Sequence, residues 1–174
     1  FYDDVGSIGF IDPKFVQEME EWGIQCRIFN PIVPMVNLFM NNRDHRKITV
    51  VDGQIGFTGG YNLADEYFNI HSPYGYWKDT GIRLRGEAVG TLTLLFLEMW
   101  HAMDDSPVRG LYNYLPRHWD RYTGQGYCAP YAYAPTDGFP LGEDVYLNMI
   151  QSATESIYIT TPYLIITDEM SRAL

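Results

Sequence analysis

An α/β fold is predicted, with helices packed on a mixed β-sheet, and three observations predict it. A helix-then-strand unit occupies residues 12–29, a β-hairpin signature centres on Asp52-Gly53, and helix-then-strand order returns after residue 142. The chain has 174 residues, 46% of them apolar, which suffices for a domain with its own core.

Taken in order, Phe1 to Asp4 reads as the end of a strand. A helix follows: Asp12 suits its N-cap, Pro13 the first helical position, Phe15, Met19 and Trp22 recur at helical spacing, and Gly23 caps the end. Ile24 to Phe29 alternates apolar and polar residues as a strand does, until Pro31 stops it. Residues 30–42 carry Pro31, Pro34, Val36, Leu38, Phe39 and Met40 and are apolar for a loop. They are expected to pack under a site, with lipid contact as the alternative.

Lys47 to Val51 and Gln54 to Thr58 are β-rich runs, and Asp52-Gly53 between them accommodates the positive φ of a two-residue hairpin turn. A strand is expected at Thr80 to Leu84. A largely buried helix is expected at Glu87 to Met103, where Val89, Leu92, Leu95, Phe96 and Met99 recur at helical spacing. Residues 104–138 are rich in Tyr, Pro, Gly and Asp and lack periodicity, as a long connector would. Glu143 to Ala153 predicts a helix, Ser156 to Thr161 a strand, and Thr167 onward another helix.

Composition removes several function classes. Lys plus Arg number 12 against 22 Asp plus Glu, and a net charge of −10 argues against nucleic acid as a partner. Cys26 and Cys128 give neither a disulfide framework nor a zinc spacing, so no metal or cofactor is expected and a reducing compartment is the plain inference. The longest apolar run, Thr91 to Leu97, is far short of the ~20 residues that cross a bilayer, which leads to the expectation of a soluble or peripheral chain. The start at Phe1 and the stop at Leu174 inside a helix lead to the expectation of a piece cut from a longer protein.

The chemistry concentrates in Asn41 to Asp52 and Gly59-Gly60-Tyr61-Asn62. On an extended backbone His45 and Lys47 share a face while Arg46 and Ile48 point away. The hairpin returns, and Gly59-Gly60 lets the backbone turn closely enough to bring Asn62 to the same edge. An imidazole beside a fixed cation and an amide donor suits displacement at a phosphodiester: a nucleophile for a covalent phosphoryl intermediate, and donors for the phosphate oxygens. Alone, His45 or Lys47 would be read as an ordinary surface or core residue. Jointly with Asp52, Gly59, Gly60 and Asn62 at fixed offsets, the pattern has a chance frequency on the order of 10^-6 to 10^-5 per chain.

His45-x-Lys47, four residues, Asp52, six residues, Gly59-Gly60-x-Asn62 resembles the signature of the phospholipase D superfamily. The longer strings from His45 to Gly53 and from Phe57 to Tyr67 are similar to those of the bacterial cardiolipin synthases within it. Trp77-Lys78-Asp79-Thr80, Glu98-Met99-Trp100 and Thr161-Pro162-Tyr163-Leu164 resemble further landmarks of that family in the same order.

The resemblance implies a phospholipase D-like α/β/α sandwich and mostly one half of a two-half enzyme. Residues 1–103 would be the first catalytic half, 104–141 a connector and 142–174 the beginning of the second half. It implies transfer of a phosphatidyl group between two phosphatidylglycerol molecules, giving cardiolipin and glycerol through a phosphohistidine. His45, Lys47 and Asp79 would be catalytic, with Asp79 on the far nitrogen of His45, and His45, Lys47 and Asn62 would hold the phosphate. Asp52, Gly59 and Gly60 would be structural, Asp52 in the turn.

The superfamily often has Ser where Gly60 stands, so a hydroxyl donor is missing. His71, His101 and His118 lack a lysine two residues on and are read as structural or surface residues. The second motif would therefore come from the rest of a longer parent, or from a second copy of the chain. Expected partners are phosphatidylglycerol, anionic lipid and a membrane surface, with the catalytic region on the cytoplasmic side of a bacterial membrane. The alternatives are a phosphodiester hydrolase acting on lipid or, against the charge balance, nucleic acid, and a catalytically silent fragment.

Overall fold

The computed structural model describes residues 1–9, 11–32, 42–104, 109–119, 126–134, 137–161 and 163–174. The chain divides into two compact units, Phe1–Pro130 and Tyr131–Leu174.

The first unit opens with β1 (Tyr2–Asp3) and α1 (Asp4–Ser7), a short helix not foreseen in the sequence and capped by the Asp3 carboxylate, which accepts the Gly6 N–H. α2 (Pro13–Glu21) starts as expected, with Asp12 accepting the Lys14 N–H at 2.9 Å. Its end is a Schellman motif. Gly23, at φ 78°, donates to the Glu20 oxygen, and Ile24 donates to the Met19 oxygen.

β2 is only Ile28–Phe29, pairing parallel with β1 through Tyr2↔Ile28 and Asp3↔Phe29. The strand expected over Ile24 to Phe29 is thus shortened: Ile24 is spent on the helix cap, and the partner strand is two residues long.

β3 (Ile48–Val51), β4 (Ile55–Gly59) and β5 (Gly81–Arg85) form an antiparallel sheet in the order β3-β4-β5. Asp52 and Gly53 both take positive φ, 52° and 66°, and the Gln54 N–H donates to the Val51 oxygen, as a tight turn requires. The ladder closes at Val51↔Ile55, however, so the connection is one residue longer than the two-residue turn expected. Gln54 is drawn aside, donating from Nε2 to the His118 oxygen at 3.0 Å. A Cβ on Gly53 would lie 2.8 Å from the Tyr114 oxygen, so the turn docks tightly on this neighbouring segment.

In place of the predicted single mixed sheet, the described residues form two small ones, parallel in one case and antiparallel in the other. Between them side chains substitute for a ladder. The Asp3 carboxylate accepts the Asp44 N–H at 2.9 Å, and Arg43 donates to the Asn30 oxygen at 2.9 Å.

The core of this unit lies between the antiparallel sheet and α3 (Ala88–Ala102), where Val89, Leu92, Thr93 and Leu97 are buried. The expected long helix is present and lies against all three strands. Gly56 in β4 lets it approach: a Cβ there would sit 2.7 Å from Leu92 Cδ1. Trp119 and Leu115 lie over Gly90 of the same helix. A 3-10 turn, Leu111–Asn113, falls in the expected connector.

In the second unit α4 (Leu141–Ser152) and α5 (Asp168–Ala173) pack on one another, and Ile150 is buried. Thr167 caps α5 through the Met170 N–H and donates to Glu143 of α4. Ser156 to Thr161 forms no strand, contrary to its alternating pattern. Alternation suits an extended segment, but a ladder also needs a partner, and none pairs with it among the described residues. Most of the apolar segment 30–42 and parts of the Tyr-rich region lie outside the described residues. Among the described residues no helix is long and apolar enough to cross a membrane.

Candidate active site

The candidate residues gather at one end of the antiparallel sheet. Lys47 stands immediately before β3, Gly59 ends β4, and Asp79 and Thr80 lead into β5. The Gly60 N–H donates to the Thr80 oxygen at 3.1 Å, so the ladder continues one step past the paired glycines Gly59 and Gly81. A side chain at either glycine would force its neighbours to shift. A Cβ on Gly59 would lie 2.5 Å from the Thr80 oxygen, and one on Gly81 would lie 2.5 Å from the Tyr61 ring.

Residues 42–47 carry no ladder pairing, and side chains tie them in place. The Asp44 carboxylate accepts two bonds from the Arg46 guanidinium at 2.9 Å each and the Arg46 N–H at 3.0 Å. That bidentate clamp holds the Asp44 and Arg46 side chains together. The Lys47 ammonium donates to the His45 main-chain oxygen at 2.6 Å. His45 is exposed and Lys47 half-buried.

Burial alone would push the Asp44 carboxyl up, but the Arg46 side-chain and backbone bonds, with the Arg46 and Lys47 charges, together hold it below the usual carboxylate range. Burial lowers the proton affinity of Lys47, against the opposing pull of Asp44 and Asp79.

Asp79 is brought beside Lys47 and Gly60. Its carboxylate accepts the Trp77 Nε1–H at 3.1 Å and the Thr80 N–H at 2.7 Å, rather than a hydrogen from the His45 ring. A Cβ on Gly60 would lie 2.6 Å from Asp79 Oδ1, so the carboxylate fills the space that a serine would need. Asn62 is half-buried and donates from Nδ2 to the Tyr67 hydroxyl at 2.7 Å. Asp52 is not brought to this group: it stands in the turn at the other end of the hairpin.

The site is an open edge, not a cavity. A cleft of about 530 Å³ does exist in the unit, but it lies behind the hairpin among Val50, Phe96, Leu97 and Leu115, and none of the candidate residues except Asp52 lines it. Among the described residues no group of three or more His, Cys, Asp or Glu side chains stands close enough to hold a metal ion. The assembled groups offer an exposed imidazole, an ammonium and an amide at one sheet end, a set able to meet a phosphate ester.

Comparison with known proteins gives this set a context. The chain is 37% identical over 174 residues to a cardiolipin synthase of Alkalihalophilus pseudofirmus and 38% identical over 167 residues to one of Staphylococcus aureus. These alignments cover 99% and 94% of the chain. Over nearly its whole length the chain is similar to bacterial cardiolipin synthases.

An uncharacterized protein of Streptococcus mutans is 40% identical over 173 residues, or 99% of the chain. The chain spans about a third of the length of these curated relatives, 37% of the Streptococcus protein and 34% and 33% of the two synthases. No family model and no solved structure matches it.

Two residues that touch the candidate groups, Tyr67 and Trp77, drew no role from the sequence. A signal was available for one of them: Trp77 lies two residues before Asp79, close enough in sequence for its indole to meet that carboxylate. Nothing in the spacing signals that Tyr67 would fold back onto Asn62.

Proposed function

We propose that this chain supplies one half of a phosphatidyl-transfer site within a phospholipase D-like α/β/α sandwich. In the first step a His45 ring nitrogen attacks the phosphorus of phosphatidylglycerol. The bond from phosphorus to the glycerol oxygen breaks, and glycerol leaves with a proton from a second acid. In the second step a hydroxyl of another phosphatidylglycerol loses its proton to that group and takes the phosphatidyl unit from His45, giving cardiolipin. Lys47 and Asn62 hold the phosphate oxygens, and Asp79 orients the His45 ring as substrate closes the site.

The observation that carries this reading is the bond from the Lys47 ammonium to the His45 main-chain oxygen. It folds the cation back onto the residue that carries the imidazole, and transfer at a single phosphate needs the two groups close together. The kinship with cardiolipin synthases supports the substrate, a phospholipid at a bacterial membrane. The second acid comes from the remainder of a protein as long as the relatives, or from a second copy across a two-fold axis. The chain alone is then silent.

The test is product analysis with phosphatidylglycerol vesicles, using the longest natural form of the protein that carries this sequence. Cardiolipin and glycerol are expected, with a base-stable phosphoryl adduct on His45 and none of these in His45→Ala. Phosphatidic acid in place of cardiolipin would identify a hydrolase, and turnover by a folded His45→Ala would remove His45 from the chemistry.

A further inference from the structure

Between Asn62 and Asp79 the chain leaves the sheet and returns, and no residue from 60 to 80 is buried. This excursion is nevertheless tied together at defined points. The Tyr67 hydroxyl accepts the Asn62 Nδ2–H at 2.7 Å. The Tyr67 ring lies against the Trp77 ring, centroids 5.0 Å apart and planes inclined at 57°. The Trp77 indole N–H reaches Asp79 Oδ2 at 3.1 Å. Asn69 holds the Trp77 main chain from both sides, donating to its oxygen at 2.8 Å and accepting its N–H at 2.7 Å. Asn69 itself adopts φ 56°, a left-handed conformation that asparagine tolerates better than most residues.

Two polar groups of the candidate site, Asn62 and Asp79, are therefore joined through two aromatic rings. We propose that Tyr67 and Trp77 are positioning residues that act as one unit, setting the plane of the Asn62 amide and the aim of the Asp79 carboxylate together. The proposal rests on the phosphoryl-transfer reading above. With one Asn62 N–H committed to Tyr67, the amide plane is fixed and the other N–H is left for a phosphate oxygen. With Oδ2 held by the indole and Oδ1 by the Thr80 N–H, the Asp79 carboxylate cannot rotate away from the Gly60 turn. Because the rings meet outside any core, their loss falls on the aim of Asn62 and Asp79 and not on folding.

Tyr67→Phe removes one hydroxyl, and Trp77→Phe removes the indole donor while keeping a ring for Tyr67. In the enzyme carrying this chain, each is expected to lower kcat about tenfold with KM within about twofold, as misaimed groups do. Melting temperatures stay within about 2 °C of the parent. The double variant is expected to be no slower than the slower single one, since both break the same relay.

A second readout needs no turnover. In the 174-residue chain, Trp77→Phe should shift the Asn62 side-chain amide resonances, although Trp77 reaches Asn62 only through Tyr67. Full kcat in Tyr67→Phe, with His45→Ala inactive, would overturn the positioning role and leave the site reading standing. Activity in His45→Ala would overturn both. If Trp77→Phe fails to fold, Tyr67→Phe still decides the matter, and unmoved Asn62 resonances in a folded Trp77→Phe would break the relay.

Discussion

The Lys47 ammonium donates to the main-chain oxygen of His45 at 2.6 Å, closing a small ring between residues two apart. A long, flexible side chain is thereby folded back onto its own main chain, and its charge is held at the residue that carries the imidazole. That is electrostatic preorganisation: the ordering cost is met in folding and not at the moment of reaction. Replacing Lys47 by Met should lower single-turnover phosphoryl transfer by about 10² or more with the fold retained. Lys47→Arg should not restore it, because a planar guanidinium cannot reproduce a compact donor in this turn.

A pH consequence follows from the same residue. Burial lowers the proton affinity of Lys47 below its ordinary value of 10.5. Its charge is therefore lost at a lower pH than that of a solvated lysine, and turnover should decline on the alkaline side before pH 10.5 is reached. A pH–rate profile whose alkaline limb lies at or above the ordinary lysine range would contradict this. Stability runs the other way. The unfolded chain binds more protons at this site, so folding gains from Lys47 as pH rises between the folded and ordinary values.

The glycines of the motif separate structure from chemistry. A Cβ at Gly59 meets main chain, the Thr80 oxygen at 2.5 Å and the Gly81 Cα at 2.7 Å, where nothing can yield cheaply. Gly59→Ala should cost about 1–3 kcal/mol of stability, as overpacking does. A Cβ at Gly60 meets only Asp79 Oδ1 at 2.6 Å, a side-chain atom that can move at the expense of its bonds to Trp77 and Thr80. Gly60→Ala should therefore melt within about 2 °C of the parent yet lose about tenfold in turnover. Thermal melts beside kcat measurements check the contrast, and equal thermal costs at the two positions would refute it.

Asp44 gives the region an acid dependence. Its carboxylate, with a side chain only 4% exposed, is held below the ordinary value of 3.8 because the Arg46 bonds and charge, with Lys47, outweigh the upward push of burial. The unfolded state then takes up protons before the folded state does. The stabilisation is complete above the ordinary carboxylate range and is lost as pH falls through 3.8 toward the folded value. Urea titrations from about pH 5 to pH 2 should show this loss, and Asp44→Asn should flatten it while costing about 1–3 kcal/mol at neutral pH. An unchanged acid slope in the variant would assign the dependence to other carboxyls.

Where a local device specifies local geometry, the sequence was readable. Asp52-Gly53 announces the hairpin because few residues accept positive φ, and Asp12 and Gly23 bound α2 because capping is chemistry between near neighbours. The hairpin in turn aligns Lys47 with the Gly59-Gly60 end, so that part of the site follows from the turn. What depends on a distant partner was not readable. Ile24 to Phe29 alternates throughout, but its partner offers two residues. Ser156 to Thr161 alternates as well and pairs with nothing among the described residues. Likewise the Tyr67 hydroxyl meets Asn62 only because the excursion folds back, which neither spacing nor composition encodes.

The packing of α3 on the sheet supports a last prediction. Gly56 is buried opposite Leu92, which is 3% exposed, and a Cβ at position 56 would lie 2.7 Å from Leu92 Cδ1 and 3.5 Å from Val89 Cγ1. The glycine thus makes room for the leucine, and the two positions share one volume. Leu92→Ala should destabilise the chain by about 2–5 kcal/mol through the lost burial and the cavity left behind. Gly56→Ala should cost about 1–3 kcal/mol through the clash, although the terminal methyl of Leu92 can swing partly aside.

In the double variant the new methyl enters the space that Leu92 vacates. Its cost should fall below the sum of the singles by about 0.5–3 kcal/mol, the coupling expected of residues in direct contact. Strict additivity in denaturant melts would mean that the strand and α3 do not meet at this point, and with it would go the packing that holds the candidate end of the sheet in place.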